Sequence, residues 1–205
     1  MLYPIPAPPE SAPRVVVTGA GIVTALGRGW EPNARGFRDG TVAIGPVTLF
    51  DVSGQRVKVA GEVTSSLEVP GTRLSSRQLP RLDRAARLLL IAAIEAWQQA
   101  GWSPGARLPL VLATTSGGMN LGQDFYREAI KSVRSNRKQA VRITHYQAQR
   151  QALDLFDALG FSGPATIIAN ACASGGNAIG HAWELIRRGQ ADRALAGGYD
   201  AQVGS

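Results

Sequence analysis

The segment from residue 165 to residue 198 constrains the fold most. Ala165-Thr-Ile-Ile-Ala169 is a short apolar run rich in β-branched residues, which reads as a strand. Asn170-Ala-Cys-Ala-Ser-Gly-Gly-Asn177 supplies a turn of small residues and the start of a helix. Ile179, Trp183 and Ile186 then fall on one helical face, and Arg187-Arg188-Gly189 gives that helix a basic C-terminus with a glycine stop. Residues 191–196 read as the next strand, ended by Gly197-Gly198. Strands alternating with helices argue an α/β fold: a parallel or mixed sheet with helices on both faces.

The rest of the chain repeats the alternation. Arg14-Val-Val-Val-Thr18 reads as a buried strand running into a tight turn at Gly19-Ala-Gly21. A weak helix is expected over 30–38, stopped by Asp39-Gly40, with loops and short strands over 41–63. Residues 82–100 form the clearest helix, apolar nearly all round and therefore buried on more than one side, with Gly101 as its stop. Leu108-Pro-Leu-Val-Leu-Ala113 is a second buried strand, opening into Thr114-Thr-Ser-Gly-Gly118. Helices are expected over 123–133 and 146–159, the latter closed by Gly160. Residues 1–13 form a proline-rich arm, and 14–205 are expected to be one domain.

Composition narrows the function classes. The chain has 205 residues, 44% of them hydrophobic, which suits a packed core rather than a disordered chain. No apolar run reaches the roughly 20 residues that span a bilayer, so no membrane association is expected. The N-terminus lacks the pattern of a secretory signal, and a cytoplasmic location is expected. One cysteine and two separated histidines, His145 and His181, offer no metal-ligand set, and no cofactor is expected. The turn at Gly19-Ala-Gly21 would need a glycine at position 24 to match a dinucleotide fingerprint, and that residue is Thr24. The net charge of +7 is spread along the chain, with a local cluster at Lys131, Arg134, Arg137, Lys138 and Arg142. That cluster reads as a solvated face, or more sharply as a landing surface for an acidic protein. It lacks the interleaved aromatics of a single-strand platform, so nucleic acid is not expected as a partner.

Cys172 carries the chemistry. It stands where a buried strand turns sharply into a helix, and the unpaired N–H groups and positive end of the helix dipole favour a thiolate there. Ala171 and Ala173 leave the sulfur uncovered, and Ser174-Gly175-Gly176 allow backbone and ligand to come close. Hydrolase elbows present their nucleophile by the same logic.

The segment 170–177 closely resembles the active-site segment of β-ketoacyl-acyl carrier protein synthases of the elongating (I/II) type. The similarity extends through Arg14-Val-Val-Val-Thr-Gly-Ala-Gly-Ile-Val-Thr-Ala-Leu-Gly27, Phe161-Ser-Gly-Pro164, Ile179-Gly-His-Ala182 and Ala196-Gly-Gly-Tyr-Asp200. The resemblance implies the N-terminal half of a thiolase-like fold, with Cys172 as nucleophile and its backbone N–H as one oxyanion donor. It implies that an acyl group from acyl carrier protein or coenzyme A is held on Cys172. A malonyl thioester then loses carbon dioxide and condenses with it, in fatty acid, polyene or polyketide synthesis. Ser116 aligns with a residue lining the acyl pocket, where family members commonly carry a bulkier aliphatic side chain. Ala171 flanks the nucleophile on the substrate side. Acyl carrier protein is the implied partner, together with a homodimer or ketosynthase heterodimer.

His181 lies nine residues beyond Cys172, or about 13 Å along a helix axis, too far for an ion pair, and is read as structural. His145 has no catalytic match and is expected in a loop. The resemblance covers only the family's first half, whose catalytic histidines, lysine and second oxyanion donor come from the other. A truncated half, inactive alone and exposing apolar helix and strand faces, is therefore expected. The competing reading is a non-catalytic partner or an acyl carrier protein-binding module. Such partners typically carry glutamine where Cys172 stands.

Overall fold

The structure, a computed structural model, describes residues 13–131 and 140–201. The proline-rich arm except Pro13, and Arg134, Arg137 and Lys138 of the basic cluster, lie outside the described residues. The chain opens with a small antiparallel hairpin of β1 (Val23–Thr24) and β2 (Gly27–Arg28), then α1 (Trp30–Asp39). Gly40, in the left-handed region at φ 64°, ends α1 where the turn pair Asp39-Gly40 predicts it. A second small ladder, β3 (Gly45–Pro46) with β4 (Val59–Ala60), lies within the stretch expected to hold loops and short strands. The long helix α2 (Arg84–Gln99) starts at Asp83, whose side chain accepts a 2.8 Å hydrogen bond from the Ala86 N–H.

The central strand β5 (Leu110–Ala113) is followed by α3 (Met119–Lys131), α4 (Ala140–Tyr146) and α5 (Ala148–Leu159). Then come β6 (Ala165–Ile168), α6 (Ser174–Arg187) and β7 (Leu195–Gly198). The main sheet has the order β6-β5-β7, and both of its ladders are parallel. Antiparallel pairing occurs in the two small ladders.

The period of two along β5 decides which helix covers which face. Leu110 and Leu112 join a core with Leu90, Ile94 and Trp97 of α2 and Leu155 and Leu159 of α5. Val111 and Ala113 point the other way, onto Ala178 and Ala182 of α6. All four β5 residues are therefore buried, which is why this strand reads as a continuous apolar run. The second face is built of small side chains, and α6 lies so close that a Cβ on Gly198 would stand 3.0 Å from the Gly175 Cα.

The N-terminal segment departs from expectation. Residues 14–18 form no ladder among the described residues, and Val17 is 83% exposed. Nor does Gly19-Ala-Gly21 make a tight turn: it runs against α2, where a Cβ on Gly21 would sit 1.8 Å from the Ala92 carbonyl oxygen. The Ala20 N–H donates to Gln99 Oε1 and the Ile22 N–H to Glu95 Oε2, each at 3.1 Å. These N–H groups, two residues apart, are thus satisfied by helix side chains instead of a neighbouring strand. The chain reverses later, between β1 and β2, where the Thr24 hydroxyl accepts from the Leu26 N–H. Buried Asn33 donates to the Gly27 and Gly29 carbonyls at 3.0 and 2.7 Å. Thr24 is therefore a hairpin residue, and this turn does not open directly into a helix as a dinucleotide site requires.

Further boundaries move, among them that of α3, which starts at Met119 and not at 123. The stretch 146–159 is broken at Gln147, and His145 lies in the last turn of α4 instead of a loop. A seven-residue helix is marginal by propensity, and α4 is held by packing on α3 and α5. Strand β7 begins later than expected and includes Gly197 and Gly198, because Gly198 has to pass under α6. The face of α6 with Ile179 and Trp183 is open, at 59% and 42% exposure. No helix among the described residues is long and apolar enough to cross a membrane.

Candidate active site

Parallel pairing brings three loops to one edge of the sheet. Ala113 is in register with both Ile168 and Gly198, so β5, β6 and β7 end together. The Thr114 N–H donates to the Ile168 carbonyl at 3.1 Å, and the Tyr199 N–H to the Ala113 carbonyl at 3.0 Å. The loops carrying Ser116, Cys172 and Asp200 all leave from this C-terminal edge, where open parallel sheets leave a crevice for ligands.

Cys172 is exposed, in a single 3-10 turn (Ala171–Ala173) between β6 and α6. Ala171 has φ 47°, the one non-glycine residue in the left-handed region among those described. A Cβ in that region costs on the order of 1–2 kcal/mol, so surrounding bonds must hold it there. Ser174 does so: its Oγ accepts from the Asn170 N–H at 2.6 Å and donates to the Ala171 carbonyl at 2.7 Å. Ser174 is 4% exposed and thus a lock for the turn, whereas the sequence grouped it with the glycines as a residue allowing close approach. Of those glycines, Gly175 meets Gly198, and a Cβ on Gly176 would meet open space. Replacing Ser174 with alanine strips both partners, and we expect a loss of about 1–3 kcal/mol in thermal denaturation. A melting temperature unchanged from wild type would show that the turn holds itself.

Ser116 lies in a loop organised by Asp200. The Asp200 carboxylate accepts from the Thr114 hydroxyl at 2.8 Å, the Thr115 N–H at 3.0 Å and the Ser116 N–H at 2.7 Å. The Gly117 N–H donates in turn to the Thr114 hydroxyl oxygen at 2.8 Å. Next to Asp200, the Tyr199 hydroxyl donates to Gln151 Oε1 in the core, and burial pushes that hydroxyl above its usual range. Sequence reasoning missed Ser174 and Asp200 as site residues. Asp200 carried a signal, since it ends the motif Ala196-Gly-Gly-Tyr-Asp200.

The two histidines differ in place: the His145 backbone lies against the end of the Ser116 loop, where a Cβ on Gly118 would stand 2.6 Å from its carbonyl oxygen. Exposed His181 lies on α6, nine residues past Cys172, beside a shallow hollow formed with Glu184, Leu185, Arg188 and Gln190. His145 is half-buried, and burial pushes its pKa down against the opposing pull of Asp154. Burial also raises the Asp154 carboxyl, which Arg150 partly offsets through a 2.7 Å ion pair. Among the described residues, no group of three His, Cys, Asp or Glu could hold a metal ion.

Residues 12–205 match the family model for the β-ketoacyl synthase N-terminal domain. The chain belongs to the β-ketoacyl synthase family. It is similar to the tetracenomycin polyketide synthase ketoacyl synthase alpha subunit of Streptomyces glaucescens, 32% identical over 93% of this chain and 46% of that protein. It is also similar to 3-oxoacyl-[acyl-carrier-protein] synthase 2 of Synechocystis, 29% identical over 93% of this chain and 46% of that protein. Among solved structures, the ishigamide ketosynthase/chain length factor superposes with a TM-score of 0.78 at 26% identity, over 94% of this chain and 48% of that one. The chain spans about half the length of the curated relatives it matches, corresponding to the N-terminal half of a thiolase-like ketosynthase.

Proposed function

We propose that this chain is the nucleophile-bearing half of a β-ketoacyl synthase that condenses acyl groups in fatty acid or polyketide synthesis. The observation that carries the reading is the turn itself: an exposed cysteine after a parallel strand, next to a left-handed Ala171 fastened by Ser174. In this reading the Cys172 thiolate attacks the carbonyl carbon of an acyl thioester. The carrier thiolate leaves, and the acyl group stays on sulfur. The first N–H groups of the turn have no acceptor within it, which suits the Cys172 N–H to the oxyanion that forms. Ala171 and Ser116 contact the acyl group. A malonyl thioester then loses carbon dioxide, and the bonding pair left behind attacks the acyl carbonyl and releases Cys172 sulfur.

Decarboxylation needs donors for the enolate, and the resemblance assigns that role to neither His145 nor His181. Those donors belong to the remaining length that the relatives have. Acyl carrier protein is the proposed carrier, by analogy with the named activity of the Synechocystis relative, and the assembly is a homodimer or a ketosynthase heterodimer. The proposed compartment is the cytoplasm.

The test is mass spectrometry of the 205-residue polypeptide after incubation with a decanoyl thioester of pantetheine. We expect one decanoyl group, on the peptide carrying Cys172, and no carbon dioxide release from malonyl thioester. Acylation elsewhere, or nowhere, sinks the reading. Binding of acyl carrier protein without any adduct would favour a non-catalytic partner.

A further inference from the structure

We propose that Asp200 is a positioning residue: its carboxylate gathers Thr114, Thr115 and Ser116 and so sets the loop against which a long acyl chain on Cys172 rests. The inference rests on the reading of Cys172 as an acyl-holding nucleophile. Three donors converge on one carboxylate group, the hydroxyl of Thr114 and the backbone N–H groups of Thr115 and Ser116, at 2.7–3.0 Å. Thr114 relays the hold to the Gly117 N–H, so one side chain ties four consecutive residues together. Successive backbone N–H groups turned toward one point make an anion-binding concavity. Here the anion is supplied from the end of β7, 84 residues beyond Ser116 in sequence.

The geometry serves no obvious need of the sheet, whose ladders are complete without it. Leu110–Ala113 already pairs with both neighbours. Asp200 is an exposed residue, so the core does not require its charge. What the carboxylate does is order a loop that leaves the same sheet edge as Cys172. Tyr199, buried beside it and bonded to Gln151, keeps the carboxylate from following the loop if the loop moves. Without Asp200, a long chain packing on the loop would have to order it at the moment of binding and would bear that entropy cost. A two-carbon chain on Cys172 has little length to pack on the loop and should be spared.

The experiment compares decanoyl and acetyl pantetheine thioesters as acyl donors to Cys172, followed by intact mass, in wild type, Asp200→Ala and Asp200→Asn. Losing hydrogen bonds to a charged acceptor should lower the decanoyl-to-acetyl rate ratio about tenfold in Asp200→Ala. Asp200→Asn keeps an acceptor oxygen for the donors and should restore most of the ratio. A ratio in Asp200→Ala within about twofold of wild type overturns the proposal. So does an equal loss with both thioesters accompanied by a lowered melting temperature, which is what a contact that only stabilises the fold would give. If wild-type Cys172 accepts neither thioester, the nucleophile reading fails on its own terms and the role of Asp200 falls with it.

Discussion

Replacing Cys172 with alanine should abolish the proposed acyl adduct, a loss of at least about a thousandfold in the rate of acyl transfer to the chain. The chain has one cysteine, so no second thiol can take over. Serine at the same position keeps the shape but not the nucleophile, since a hydroxyl is far less acidic and less nucleophilic than a thiol. The Cys172→Ser chain should therefore resemble Cys172→Ala in the adduct assay. Both should melt with wild type, because the side chain is exposed and leaves no cavity when trimmed. Persistent acylation of Cys172→Ala would place the nucleophile elsewhere and remove the chemical meaning of the turn.

Replacing Leu155 with alanine should produce the largest loss of stability. Leu155 on α5 is 0% exposed and packs in the core shared with α2 and the β5 residues Leu110 and Leu112. Large-to-small changes at such sites cost about 2–5 kcal/mol, against a total stability of about 5–15 kcal/mol for an ordinary domain. For a chain of this size, a 3 kcal/mol loss lowers the melting temperature by roughly 6–12 °C. Leu153, two residues earlier on the same helix, is 50% exposed, and Leu153→Ala should cost no more than about 0.5 kcal/mol. Equal costs at the two positions would mean that α5 does not bury the face described here.

The difference between those two leucines was not visible in the chain, although the helix containing them was. Periodicity marks α2, β5 and β6 because their apolar residues are dense and their pattern is set by the local backbone. The turn at Cys172 was legible for a related reason: a β-branched run followed by small residues leaves few conformations other than a sharp entry into a helix. The side chain that holds the turn was harder to find, since a serine before two glycines looks like a flexible joint. Only its two hydrogen bonds, to Asn170 and Ala171, identify it as the lock.

Long-range partners account for the rest. Val15, Val16 and Val17 have strand character, yet they form no ladder among the described residues, and the N–H groups that follow bond to Glu95 and Gln99. A β-branched run states a preference for extended backbone and says nothing about which neighbour will accept its hydrogen bonds. Gly197-Gly198 illustrates the same ambiguity for glycine. It reads as a stop, but both glycines belong to the strand, and the missing side chain of Gly198 is what lets α6 lie against it.

The sequence by itself determined the alternation of strands and helices, the family, and the one cysteine that can act as nucleophile, because each is written in neighbouring residues. The tertiary structure alone decided which loops share the sheet edge with Cys172, and that Asp200 fastens the Ser116 loop. Those relations join residues tens of positions apart, and parallel strand register, a property of the whole sheet, is what brings them together.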